Sequence, residues 1–509
     1  MSEFVKQKKD AVYMEKNKKQ ALILSIVAVV TLIALVVGAT FAYFKAQVGT
    51  GSSTEVKVTT YTTDMLTFTT GNAISLYADQ SSFGQEKGSL SGETFAKATL
   101  VANNKTNEAT DNYYVYFNIE NNTFKYTLGN DKPELILTVT GPDGSEVMEL
   151  PELTHKVVQD RENKSISGFD VTTTNGIITI ANKKTITASP NAEEQYTLKL
   201  TFVNYEGDQT ANAKSTLSAK VMIQKEMIPF HETCNDNTLA CHTAKLYTGT
   251  QGENGIYYHD TSLTNGAGDN SYRFAGASDQ VNNYVCFGSN TTPCPTDNLY
   301  RIIGVFGDKV KLIKSTSVGN KAWSSNNNNT WSISDLNTYL NNEFITTFEE
   351  TTKGKIAETT WKVGGNTWEN IANVVPVTAY QNEIVGPVTT NTRDNATEYS
   401  AKIGLMYVSD YMYAVPQEKW TLVGYNSDAS KDYRAAKSVN WMYMGLEEWT
   451  ISRNASYATS VLSVSESGTV TGGYSNAKDR RAVRPVFYLL PSITYVSGSG
   501  TQNSPIRIN

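Results

Sequence analysis

An uncharged run of 24 residues, Ala21–Phe44, is the longest apolar segment of the chain. Six lysines precede this run, and only Lys45 follows it closely. A segment of this length crosses the roughly 30 Å hydrocarbon core as a helix. Lysines on the short N-terminal side favour a cytoplasmic position for that side. The pattern predicts a cytoplasmic basic tail over residues 1–20, a single-pass helix over 21–44, and an extracellular remainder.

Alternating apolar and polar positions follow over residues 45–228. The clearest examples are Tyr113–Ile119, Leu135–Thr140 and Tyr196–Val203. This period of two, with many β-branched and aromatic residues, is typical of strands with one buried face. Turn sequences separate the strands, and Asn175-Gly176 predicts a two-residue hairpin. We therefore expect an antiparallel β-sandwich in this region.

The segment 229–509 contains all four cysteines and all seven tryptophans of the chain. This segregation predicts a second folded domain. Within it we expect a hairpin that turns at Gly307-Asp308, a helix through Leu336 and Phe344, and buried strands at 403–408 and 483–490. The second domain is therefore predicted to be α+β, and the chain as a whole mainly β.

Composition narrows the classes of partner. Beyond residue 20 the chain carries 38 basic and 47 acidic residues, a net charge of −9. This balance argues against a nucleic-acid partner, which would require a basic surface. Only 18% of the residues are charged, and Tyr is abundant. Such a composition is typical of an extracellular β-rich protein.

Four cysteines in an extracellular chain predict disulfides. The close spacings favour Cys234–Cys241 and Cys286–Cys294, although three pairings are formally possible. A metal site is the alternative, because His231 and His242 flank the first pair. The C-x6-C spacing matches zinc ligands poorly.

The segment Gly38-Ala-Thr-Phe-Ala-Tyr-Phe44 resembles the signal peptides of the camelysin and biofilm-matrix-fibre family of Gram-positive bacteria. Ser91-Gly-Glu-Thr-Phe-Ala-Lys97 and Tyr113-Tyr-Val-Tyr-Phe117 are similar to its sandwich domain. The resemblance implies cleavage near Ala42 and secretion, as the alternative to a retained anchor. The sequence His-Glu-x-x-His is absent, so the peptidase activity ascribed to some members is not carried over.

Residues 234–509 resemble an uncharacterised surface domain of Gram-positive gut bacteria. The matching motifs include Tyr300-Arg-Ile-Ile-Gly304, Trp449-Thr-Ile-Ser-Arg453 and Val483-Arg-Pro-Val-Phe-Tyr-Leu489. More distantly, the order of a helix, Trp-Thr-x-Ser and a terminal Val-Arg-Pro strand resembles the C-type-lectin-like fold, which also underlies sulfatase-modifying factors. The reactive cysteines of those factors and the calcium motifs of the lectins are both missing, so neither activity is implied.

Aromatic side chains in polar loops can form a platform for a sugar or peptide. The candidate ligand-binding residues are Trp331, Trp361, Trp368 and Trp441. The alternative is that these rings fill the core, as large aromatics usually do. No cofactor is predicted, although Asp260, Asp269 and Asn270 lie in a loop that could hold calcium.

Together these features favour a cell-surface binding protein, or adhesin, that presents its C-terminal domain to a host or bacterial glycan or protein. The alternative is a structural matrix or fibre component that self-assembles through the sandwich. No catalytic motif is present, and we do not expect an enzyme.

Overall fold

The structure is a computed structural model that describes residues 64–509, except 80–81, 84–88, 104–107, 130–131, 151–152, 235, 367–372, 389–395 and 472–475. The chain divides into two compact units, one ending at Met227 and the other beginning at Ile228. The predicted membrane segment 21–44 and the cleavage position near Ala42 lie outside the described residues. Within the described residues, no helix is both long and apolar enough to span a bilayer.

The first unit is built from antiparallel strands in two sheets. Its strands are β1 (Met65–Thr70), β2 (Ile74–Tyr77), β3 (Leu90–Val101), β4 (Ala109–Asn122), β5 (Leu135–Thr140), β6 (His155–Gln159), β7 (Ser165–Asp170), β8 (Gly176–Ala188), β9 (Asn191–Phe202) and β10 (Thr216–Gln224). One sheet has the order β1-β3-β9-β5-β7-β6, and the other has the order β2-β10-β4-β8. Side chains from both sheets enclose one hydrophobic core.

The alternation of apolar and polar residues along β9 produces one buried and one exposed face, as predicted. Tyr196, Leu198 and Leu200 are buried, whereas Lys199 between them is exposed. The hairpin predicted at Asn175-Gly176 is wrong. Strand β7 pairs with β5 and β6, and β8 pairs with β4, so the chain crosses here from one sheet to the other. The positive φ of Gly176 serves this crossing.

The second unit combines many short strands with short helices. Its strands are β11 (Ile256–His259), β12 (Ser271–Phe274), β13 (Tyr284–Cys286), β14 (Leu299–Phe306), β15 (Lys309–Lys314), β16 (Asn320–Ala322), β17 (Thr359–Lys362), β18 (Gly365–Asn366), β19 (Glu398–Ala401), β20 (Ile403–Gly404), β21 (Glu448–Asn454), β22 (Val461–Val464), β23 (Val470–Thr471), β24 (Arg480–Ala482), β25 (Val486–Tyr488), β26 (Tyr495–Ser497) and β27 (Ile506–Ile508). Its α-helices are α1 (Phe230–Thr233), α2 (Leu239–Ala244), α3 (Asp335–Thr338), α4 (Glu350–Lys353), α5 (Pro376–Tyr380) and α6 (Val408–Tyr413).

A nine-stranded sheet forms the centre of the second unit. Its main path is β20-β25-β15-β14-β13-β27-β26, and β12 joins β14 with β11 outside it. Strands β14 and β15 form the predicted hairpin, in which Phe306 pairs with Lys309 across Gly307-Asp308. A second sheet has the order β16-β24-β21-β22-β23, with β18 beside β21, and β17 pairs with β19 separately. The chain is therefore mainly β with several antiparallel sheets, as predicted.

Helical structure agrees with the sequence at one place and departs from it at another. The predicted helix begins at α3, where the Ser334 hydroxyl accepts from the Asn337 amide, and continues through a π-turn at Tyr339–Glu343. The predicted strand 403–408 is only partly correct, because β20 ends at Gly404 and α6 begins at Val408. At the start of this helix, backbone N–H groups donate hydrogen bonds to side-chain carboxylates. They therefore do not pair with a neighbouring strand, as the apolar sequence suggests they would.

Both predicted disulfides are present. Cys234 pairs with Cys241, with a Cα–Cα distance of 5.6 Å, and Cys286 pairs with Cys294 at 5.9 Å. The alternative metal site at the first pair is wrong, because its sulfur atoms are joined to each other. Of the flanking histidines, His231 lies 2.7 Å from the Tyr272 hydroxyl through Nδ1.

Candidate functional site

The predicted tryptophan platform is not a surface feature. Trp331, Trp361 and Trp441 are 2%, 1% and 3% exposed, and Trp368 lies outside the described residues. The Trp361 indole N–H donates to the Ala401 carbonyl at 3.0 Å. The Trp441 N–H donates to the Phe274 carbonyl at 2.7 Å. These three rings belong to the core, and a backbone carbonyl satisfies the indole N–H of Trp361 and that of Trp441.

Charged side chains lie close together in a row of residues that crosses the nine-stranded sheet. Arg273 on β12 pairs with Gly304 on β14, Gly304 pairs with Lys311 on β15, and Lys311 pairs with Tyr488 on β25. Residues in register on neighbouring strands point to the same face. Gly304 contributes no side chain to this row.

Helix α6 brings the carboxylate of Asp410 into contact with both cations. Its Oδ2 lies 2.5 Å from the Lys311 Nζ, and its Oδ1 lies 3.6 Å from an Arg273 NH1. Arg273 has a second partner, Asp269, at 2.6 Å. The side chains of Lys311, Arg273 and Asp410 are each no more than 3% exposed. Two buried cations are thus matched by two carboxylates, as a low-dielectric interior requires. We call these four residues the ion cluster.

A third carboxylate, Glu383, holds α6 in place. It lies in a π-turn, Gln381–Val385, that continues α5. Its oxygens accept from the backbone amides of Val408 and Ser409 at 3.1 and 3.0 Å, and the Ser452 hydroxyl donates to it as well. Burial raises the pKa of Glu383 to about 7, although the hydrogen bonds from Ser452 and Ser409 oppose that rise.

The ion cluster shifts the pKa values of its own members in two directions. Burial raises the pKa of Asp269, but the Arg273 guanidinium, His259 and the hydrogen bonds from Ser271 together outweigh burial and lower that pKa to about 2. Burial lowers the pKa of Lys311, more strongly than the Asp410 carboxylate raises it. Asp269 therefore stays ionised at physiological pH, whereas the ammonium form of Lys311 is destabilised.

Three partly exposed side chains lie at the border between the buried ion cluster and solvent. Phe306 and Tyr488 are partly exposed, with ring centroids 5.9 Å apart, and the Asp269 side chain is 17% exposed. The Phe306 ring also covers the Arg273 guanidinium at 4.6 Å. We call Asp269, Phe306 and Tyr488 the mouth of the site. It offers two aromatic rings and one carboxylate on a rigid base.

The remaining sequence candidates have local partners. Asp269, proposed for calcium, is the ion-pair partner of Arg273, while Asp260 accepts from the Ser262 hydroxyl at 2.7 Å. Within the described ranges, no group of three or more His, Cys, Asp or Glu is arranged to hold a metal ion. Arg484 pairs with buried Glu448 through Nε at 2.5 Å.

Sequence reasoning missed Lys311, Arg273 and Glu383 as members of one site. Lys311 stands in Lys309-Val-Lys-Leu-Ile-Lys314, whose alternation indicates a strand with one wet face. Its side chain is nevertheless buried, because α6 covers that face of the sheet. The available signal was Asp410 within an otherwise apolar segment, since a buried carboxylate requires a cation.

The comparisons with known proteins add a family of unknown function. Residues 307–491 match a family model described as a domain of unknown function (DUF6273). The match includes Lys311, Glu383, Asp410 and Tyr488, whereas Asp269 precedes it. No curated protein and no solved structure matches the chain. The two resemblances drawn from sequence motifs remain predictions.

Gly304→Ala should destabilise the second unit by about 1–3 kcal/mol, because the new Cβ would clash with the Tyr272 carbonyl oxygen of the neighbouring strand. Urea unfolding of the full chain, followed by tryptophan fluorescence, measures this unit alone, since every tryptophan follows residue 228. Gly354→Ala is the control, because its Cβ meets nothing closer than 3.5 Å. Equal midpoints for the two variants would contradict the close packing at Gly304.

Glu383→Gln should flatten the pH dependence of the second unit's stability. The native carboxyl keeps its proton up to about pH 7, whereas the unfolded one loses it near 4.5. The contribution of Glu383 is therefore full below pH 4.5 and falls by about 3 kcal/mol as the pH rises through 7.

Urea unfolding at pH 5 and pH 8, again followed by tryptophan fluorescence, measures this difference. The exposed Glu418→Gln is the matched control and should keep the wild-type pH dependence. A wild-type protein and a Glu383→Gln variant that lose the same stability between these pH values would refute the assignment.

Proposed function

We propose that this protein is a cell-surface binding protein whose second unit binds a glycan at the mouth of the ion cluster. The chain reaches the surface through the predicted segment 21–44, either as a single-pass anchored protein or after cleavage near Ala42. In this proposal a β-sandwich carries a C-type-lectin-like module.

One observation carries the proposal: Phe306 and Tyr488 present partly exposed rings 5.9 Å apart, next to the Asp269 carboxylate. A sugar ring offers an apolar C–H face and several hydroxyl groups. Aromatic rings fit the face, and a carboxylate oxygen orients the hydroxyls. The matched charges beneath the mouth hold these groups in place, and such support favours binding by reducing the ordering cost.

Binding is favoured over catalysis by the positions of the reactive groups. The amine of Lys311 and the guanidinium of Arg273 are buried, and each contacts a carboxylate. A ligand bound at the mouth therefore contacts neither of these two groups. The site therefore serves recognition, and the cluster serves as its support.

Tyr488→Leu should weaken glycan binding by about 3–10-fold, because it removes one of the two aromatic rings that would contact the sugar face. The measurement is a glycan and mucin array with the detergent-solubilised full chain, followed by titration of the best probe, with calcium and with EDTA. Tyr425→Leu is the matched control, since Tyr425 is 46% exposed and also lies near an arginine, Arg434. It should leave binding unchanged.

Absence of binding on the array, or equal losses for both tyrosine variants, would refute a glycan site at the mouth.

The alternative function, a matrix or fibre component, has one observation in its favour. Within the described residues, β6 pairs on one side only, and its Val157 is 64% exposed. Such an edge accepts a further strand. Concentration-dependent polymerisation that Val157→Lys abolishes would support this alternative.

A further inference from the structure

The pair of Lys311 and Asp410 has an unusual setting for an ion pair. Its atoms Nζ and Oδ2 are 2.5 Å apart, and the two side chains are 1% and 2% exposed. Four aromatic rings surround the Nζ, and their centroids lie 4.5–5.8 Å from it. They belong to Phe306, Trp361, Tyr407 and Tyr488. An amine and a carboxyl group are thus held together in an apolar, water-poor enclosure.

We propose that Lys311 and Asp410 are joined by an intramolecular isopeptide bond between Nζ and Cγ. The bond would link β15 of the central sheet to helix α6, across 99 residues of sequence. It is a covalent modification of the folded chain and does not depend on the proposed glycan function.

The condensation is balanced without a further reactant. Lys311 transfers one proton to the Asp410 Oδ2, which leaves a neutral amine and a neutral carboxylic acid. The Nζ lone pair attacks Cγ, and Oδ2 leaves as water with a second proton from the nitrogen. One C–N bond forms, one C–O bond breaks, and no atom changes its oxidation state. Burial favours the first step, because it lowers the pKa of Lys311.

The surroundings also fit the reaction intermediate. Arg273 NH1 lies 3.6 Å from Oδ1, the oxygen that becomes negative when Nζ attacks. The Tyr407 amide donates to Oδ2, the leaving oxygen, at 2.9 Å. A fixed cation near a developing oxyanion lowers the barrier. Holding both reactants in one enclosure corresponds to an effective molarity on the order of 10⁵ M or more when the geometry is favourable.

The charge balance of the product supports the proposal as well. Condensation removes the positive charge of Lys311 and the negative charge of Asp410 together. Arg273 is not left unpaired, because Asp269 remains 2.6 Å away. The product therefore buries two charges fewer than the ion pair does, and each remaining charge keeps its partner. Burial of ions is costly even when they are paired.

Peptide mapping of the purified full chain tests the proposal directly. After reduction of the disulfides and digestion with trypsin, we expect a branched peptide that contains residues 311 and 410. Its mass should equal the sum of the two linear peptides minus one water. On a denaturing gel, the reduced cross-linked chain should migrate faster than a chain without the link.

Lys311→Arg is the decisive variant, because it keeps the cation and removes the primary amine. It should lose the branched peptide and the faster migration. Lys314→Arg is the matched control, since Lys314 is another buried lysine of β15, close to Asp297. It should retain both signatures. Tryptophan fluorescence verifies that each variant is folded.

Recovery of only linear peptides from the folded wild-type chain, after incubation between pH 5 and pH 8, would overturn the proposal. The pair would then be a buried ion pair. A branched peptide that persists in Lys311→Arg would overturn it equally, because the link would involve another lysine. Loss of glycan binding at the mouth has no bearing on either result, so the two proposals can fail separately.

Discussion

Neutralisation of two cations on a covered sheet face is the constraint on which the second unit depends. Transferring a charge from water to a protein interior costs several kcal/mol. A partner of opposite charge must therefore lie close by to offset that cost. Arg273 and Lys311 project from neighbouring parts of one sheet, and Asp410 contacts both. The position of α6 is therefore fixed by electrostatics as much as by its apolar residues, because only there does Asp410 reach both cations.

This constraint extends from the sheet to the rest of the unit. Glu383 accepts hydrogen bonds from the first backbone amides of the helix that carries Asp410. Ser452, on β21 of the second sheet, donates to the same Glu383 carboxylate. One carboxylate thus connects α5, α6 and the second sheet.

Local patterns in the sequence predict the parts of this fold that local physics decides. The hairpin at Gly307-Asp308, the alternation along β9 and the disulfides between close cysteines all follow from short-range rules. Sheet order does not, and Asn175-Gly176 illustrates the reason. The dipeptide specifies a tight reversal of the chain, but the strands on either side find their partners in different sheets.

The burial of the ion cluster and of the tryptophans could not be predicted from the sequence, for a related reason. Lys311 alternates with apolar residues, and the tryptophans stand among polar residues, so each local pattern indicates exposure. Burial of both is decided by elements far away in the sequence, since α6 covers Lys311 and a distant strand accepts the Trp361 N–H. A pattern read within ten residues cannot contain that information.

Abundant asparagine and serine in the second unit then acquire a structural explanation. Short strands and irregular segments leave many backbone carbonyls without a sheet partner, and a buried carbonyl requires a donor. Asn329 is fully buried, and its amide donates to the carbonyls of Asn454, Tyr457 and Ser460 at 2.9–3.1 Å. Side-chain amides thus do in this unit what ladder hydrogen bonds do in a regular sheet. The polar run Ser324–Asn329 is exposed at Ser325 and Asn326 but buried at Ser324, Asn328 and Asn329, so a polar run in this unit contributes to the core as well as to the surface.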